Sequence, residues 1–75
     1  MRKDLMNKIE VDAFHTIYLD DASYDYYESN GMEEDEILVD IDNILDDHNI
    51  EDYRELFITI DAEGDWNVNY TKPRR

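Results

Sequence analysis

EEDEILVDIDNILDD, residues 33–47, is the stretch on which the fold turns. Read as a helix, it places Ile37, Leu38, Ile41, Ile44 and Leu45 on one side. That i, i+1, i+4, i+7, i+8 spacing belongs to an amphipathic helix laid on a core. The opposite side carries Glu36, Asp40, Asp42, Asn43, Asp46 and Asp47, without a Lys or Arg. The apolar stripe demands a covering layer, and the outer side is nearly continuous carboxylate. Glu33, Glu34, Asp35 and Glu36 crowd the first turn, where the helix dipole favours negative charge. Asp46 and Asp47 stand near the last turn, where the dipole opposes them at about a few tenths of a kcal/mol each. His48-Asn49 ends the helix, Asn being a good left-handed terminator.

Beyond the helix, residues 55–71 read as a β-hairpin. Leu56, Ile58 and Ile60 alternate with Phe57 and Thr59, and Trp66, Val68 and Tyr70 alternate with Asn67 and Asn69. Asp61-Ala62-Glu63-Gly64 between them reads as a type I turn with Gly64 in the left-handed position. Before the helix, Ile9, Val11, Ala13, His15, Ile17 and Leu19 alternate with Glu10, Asp12, Phe14, Thr16, Tyr18 and Asp20, which predicts one strand over 9–19. Asp20-Asp21-Ala22-Ser23 reads as a turn and Ser23–Glu28 as a second strand, with Ser29-Asn30-Gly31 as the next break. The alternative is an ordered loop over the whole of 20–31. Residues 1–8 read as a frayed end or a single helical turn, and 72–75 as a mobile basic tail. The expected architecture is one domain over 1–75 of α+β class. One amphipathic helix packs on an antiparallel sheet of three to four strands, in the order hairpin, helix, hairpin.

Seventy-five residues lie near the lower limit for independent folding, and a homodimer would add buried area to so small a core. Charge is the loudest property: 21 acidic residues against 7 basic, net −14. Residues 9–53 hold sixteen of the acidic residues and no Lys or Arg, so basic ends flank an anionic block. Self-repulsion in such a block destabilises the compact state, and it serves solubility, salt adaptation or a cationic partner. The abundance of Ile, Asn and Tyr has the look of AT-rich coding and argues against a halophile. A 41% hydrophobic share, nine aromatics, two Gly and one Pro argue against disorder. The absence of Cys excludes disulfides and Cys-type zinc sites. No apolar run is long enough for a signal peptide or a membrane span, and a cytoplasmic protein is expected.

No catalytic motif stands out. Asp61–Asp65 departs from a calcium loop of EF-hand type, which needs Gly sixth and Glu twelfth; here Gly is fourth and Lys72 is twelfth. Asp40-Ile41-Asp42 and Asp46-Asp47 lie on a helix surface that cannot wrap a cation, so neither metal nor cofactor is expected. Pairs of carboxylates are inevitable among 21, and neither Ser23 nor Ser29 sits in a nucleophile motif. A non-enzyme is expected. His15, on the apolar side of its strand, reads as a half-buried or edge histidine rather than a ligand or base. Direct nucleic-acid binding needs a cationic footprint, of which this chain is the inverse.

That inverse is itself a functional signal. Outward carboxylates at helical and strand spacing can occupy a groove built for phosphates. The candidates are Asp20, Asp21, Asp25 and Glu28 with Tyr26 as an anchor, and Glu33, Glu34, Glu36, Asp40, Asp42, Asp46 and Asp47 on the helix. The run from Asp20 to Asp52, with EEDE at 33–36, DID at 40–42 and DD at 46–47, resembles the small acidic phage-encoded inhibitors of anti-restriction and anti-CRISPR type. It also resembles acidic immunity proteins that neutralise nuclease toxins. The likeness is one of size and charge over most of the chain, with no diagnostic motif. It implies a basic nucleic-acid-binding protein or enzyme as partner, and no catalysis. A competing reading is an adaptor or immunity module in which Tyr26 and Trp66 carry specificity and acid supplies solubility and steering.

Overall fold

The structure, a computed structural model, describes residues 7–73. Its elements are β1 (Asn7–Glu10), β2 (Thr16–Leu19), α1 (Asp21–Ser29), α2 (Glu34–Asp47), β3 (Glu55–Ile60) and β4 (Trp66–Thr71). The four strands form one sheet in the order β1-β2-β3-β4. β1–β2 and β3–β4 are antiparallel, and β2–β3 is parallel. Both helices cover one face. The class is α+β as expected, and α2 and the β3–β4 hairpin fall where the sequence places them. The turn closes with Gly64 N–H donating to the Asp61 carbonyl at 3.0 Å, with Gly64 at φ +85°. Asn49 takes φ +57° just past α2.

Three expectations are corrected. The strand over 9–19 is instead a hairpin. Asp12 breaks it: its Oδ1 accepts the Phe14 N–H at 2.8 Å, and Val11 N–H donates to the His15 carbonyl at 3.0 Å. The resulting turn folds the stretch back so that Ile9 pairs with Ile17 on the same face. The alternation was genuine, but it belonged to two strands.

The second correction is α1, where a turn and strand (or a loop) were expected. Asp20 is an N-cap whose Oδ1 accepts the Ser23 N–H at 2.9 Å. Asp at a turn and Asp at a cap use the same side-chain chemistry, so the turn reading took the right residue for the wrong element. Ser23 and Tyr27, four apart, form the buried stripe, and Gly31 at φ +67° follows the helix end. The third correction is the sheet, which is mixed. Two helices between β2 and β3 give the long crossover that parallel pairing requires. Of the ends, Asn7 and Lys8 belong to β1 and Lys72 and Pro73 follow β4; residues 1–6 and 74–75 lie outside the described residues.

The core follows from register. Ile17 pairs with Leu56 and Leu19 with Ile58. These four are buried with Tyr27 of α1, Ile37 and Ile41 of α2, and Tyr53 before β3. Leu38, Ile44 and Leu45 pack against this cluster, as their spacing predicts. The opposite sheet face carries Lys8, Glu10, Thr16, Tyr18, Glu55, Phe57, Thr59, Asn67, Asn69 and Thr71 by the same register. At its centre Tyr18 and Phe57 stack with ring centroids 5.1 Å apart.

Candidate interaction surface

The layering polarises the charge. On α1, Asp21, Asp25 and Glu28 recur at i, i+4, i+7 and are all exposed. On α2, Asp35, Val39, Asp42 and Asp46 form a second exposed stripe, with Glu34, Glu36 and Asp47 beside it. Val39 is 64% exposed in the middle of that stripe. Among the described strand residues, the outer sheet face holds Lys8, Glu10 and Glu55 as its charged side chains, and Lys8 Nζ meets Glu10 Oε1 at 3.0 Å. The helical side is therefore densely anionic, and the sheet side is polar and aromatic.

Most of the acidic residues expected to meet a partner are on this helical side, but several also bond within the fold. Asp20 is half-buried. Its Oδ1 accepts from Ser23 N–H and Oγ–H, and its Oδ2 accepts the Ile60 N–H at 3.3 Å. Asp20 thus ties the start of α1 to β3. Asp40, expected on the outer side of α2, is half-buried and accepts the Tyr27 hydroxyl at 2.7 Å, which joins α2 to α1. Burial first, and then this bond, push the Tyr27 hydroxyl pKa far above its ordinary value. Glu33 caps α2, and Glu36 Oε1 accepts the Glu33 N–H at 3.3 Å. Asp35, which the sequence presents as a first-turn residue, joins the exposed stripe. Its spacing of seven from Asp42 was the available signal.

Tyr26, 48% exposed, meets Trp66 of β4 edge to face with centroids 5.1 Å apart and planes at 89°. The two residues the adaptor reading singled out are thus neighbours. With Asp40, Ile44, Asp47 and His48 they line an open groove of about 320 Å³ between the helices and the sheet edge. Comparison with protein-family models, curated proteins and solved structures finds no match.

A second cluster escaped the sequence reading. His15 Nδ1 lies 2.8 Å from Asp12 Oδ1, and Nε2 lies 2.9 Å from Asp52 Oδ1. Its ring meets Tyr53 edge-on at 5.0 Å. The hydrogen bond to Asp52, then that to Asp12, raises the His15 pKa above its ordinary value. The Phe14 N–H, then His15, lowers that of Asp12. The cluster clips the β1–β2 turn to the segment entering β3. Asp12 three residues before His15 was visible in sequence, whereas Asp52, 37 residues on, was not. His15 is half-buried, as its place on the apolar side of the strand predicts, with carboxylates on both ring nitrogens. Asp61 accepts the Glu63 and Asp65 backbone N–H groups at 2.9 and 3.0 Å. No helix among the described residues is long and apolar enough to cross a membrane.

Proposed function

We propose that this chain is a non-catalytic acidic inhibitor that covers the cationic nucleic-acid-binding site of a defence or DNA/RNA-processing enzyme. The observation that carries the reading is the pair of exposed carboxylate stripes, Asp21/Asp25/Glu28 and Asp35/Asp42/Asp46, on one side of the fold. Side-chain anions on a rigid two-helix layer can face the Lys and Arg of a phosphate-binding groove, and opposite charge speeds encounter. Counter-defence in a phage-infected cytoplasm is the setting that this chemistry fits.

The Tyr26–Trp66 contact favours a second reading, an adaptor or an immunity protein that neutralises a nuclease toxin. There the aromatic pair anchors the interface and the carboxylates steer. Affinity capture from the source cell separates the two readings, at about 50 mM and about 500 mM salt, a contrast set by charge screening. The inhibitor reading expects one nucleic-acid enzyme, held at low salt, released at high salt and displaced by duplex DNA. A partner indifferent to both salt and DNA supports the adaptor and contradicts the inhibitor.

A further inference from the structure

The groove beneath Tyr26 sets two aromatic rings beside two carboxylates. Two rings meet at right angles at its mouth, and the buried Tyr27 backs Trp66 from the core with ring centroids 5.8 Å apart. Asp40 and Asp47 line the same space, with Ile44 at its side. α2 also ends here. His48 is its C-cap, and the last turn carries no Lys or Arg to offset the negative end of the helix dipole. Asp46 and Asp47 stand where that dipole makes them unfavourable, a placement that helix stability does not explain. Rings, carboxylates and a helix C-terminus all favour the same ligand charge. Cations are drawn to aromatic faces, and a planar guanidinium both stacks on a ring and bonds a carboxylate.

We propose that this groove is an arginine-binding pocket. It receives one guanidinium side chain from the surface of a basic protein partner, which stacks against Tyr26 and Trp66 and bonds Asp47. The volume of about 320 Å³ and the open mouth suit a single side chain presented by another protein. The inference rests on the proposed inhibitor reading only for who carries the arginine; the chemistry of the groove stands apart from it.

The chain has a single Trp, so its indole N–H gives an unambiguous NMR resonance. The full ¹⁵N-labelled chain is titrated at about 50 mM salt with N-acetyl-argininamide, and in parallel with N-acetyl-norleucinamide and choline. Argininamide is expected to move the Trp66 indole resonance saturably, with norleucinamide leaving it in place and choline binding more weakly. Tyr26→Leu, at an exposed position, is expected to weaken argininamide binding about two- to fivefold, the scale of one exposed cation–ring contact. Asp47→Asn, also exposed, weakens it similarly while retaining the parent spectrum.

A stationary Trp66 resonance overturns the proposal. So do equal shifts from the neutral probe, tighter binding of choline, or affinities unchanged in both variants. Failure here, with DNA still displacing a salt-sensitive partner, removes the pocket and leaves the inhibitor reading. Saturable argininamide binding without such a partner removes the inhibitor reading and leaves the pocket.

Discussion

Replacing Tyr27 with Phe deletes one oxygen from the centre of the molecule. The Tyr27 side chain is fully buried, and its hydroxyl donates to Asp40 Oδ2 at 2.7 Å across the α1–α2 interface. A hydrogen bond to a charged group contributes about 1.5–3 kcal/mol net. Asp40 is half-buried, so water replaces part of the lost donor, and the expected cost falls to about 1–2 kcal/mol. The ring's packing against Trp66 and Tyr26 remains in the variant. For a domain of this size about 1.5 kcal/mol corresponds to a Tm lower by roughly 6–12 °C. Urea unfolding followed by circular dichroism gives the value directly. A cycle with Asp40→Ala, which removes the acceptor, isolates the pair, and a coupling above about 0.5 kcal/mol is expected for groups in contact. A Tyr27→Phe variant within about 0.3 kcal/mol of the parent, together with additive behaviour in the cycle, would refute the role of this bond in holding α2 to α1.

Two other substitutions test the remaining ties. Asp20→Ala removes the α1 cap and an acceptor of the Ile60 N–H, and costs about 1–2 kcal/mol in urea unfolding, whereas Asp21→Ala stays within about 0.5 kcal/mol. His15→Gln tests the clip to Asp12 and Asp52 through its pH dependence. Because folding raises the His15 pKa, its contribution is fully present below the ordinary value of 6.5 and is lost as pH rises through the folded value. The stability gap between parent and variant should therefore be wider at about pH 5.5 than at about pH 9, and a gap independent of pH contradicts the ion-pair assignment.

The parts of the fold that sequence made legible are those with a long period or an unambiguous turn. α2 offers fourteen residues of 3.6-residue repeat, and the β3–β4 hairpin has a Gly where the backbone requires positive φ. α1 was missed because its nine residues are rich in Tyr and Asp, which carry strand and turn preferences. What makes it a helix is tertiary. Ser23 Oγ reaches the Ile58 carbonyl at 3.1 Å, and Tyr27 fills the core over β3. Neither partner is adjacent in sequence. The parallel β2–β3 pairing was hidden for the same reason, since one helix was counted where two make the crossover. At the surface, the charge of the helical side could be read directly from composition. The ties of Asp20 to the Ile60 N–H and of Asp40 to the Tyr27 hydroxyl could not, because those donors lie on β3 and α1, 40 and 13 residues away. Nor could the meeting of Tyr26 with Trp66, forty residues apart.

An inhibitor of this kind must place its helical carboxylates in a nucleic-acid groove. Asp35, Asp42 and Asp46 are the residues to reverse, since they are exposed in one stripe, whereas Asp40 also braces Tyr27. The direct measurement is an electrophoretic competition: the captured partner bound to labelled duplex DNA, titrated with the parent chain and with its Asp35→Lys/Asp42→Lys/Asp46→Lys variant. The account predicts that the parent releases the DNA stoichiometrically and that the variant, folded by circular dichroism, does not. Release by both chains alike, or a ternary complex in which DNA stays bound, would contradict it.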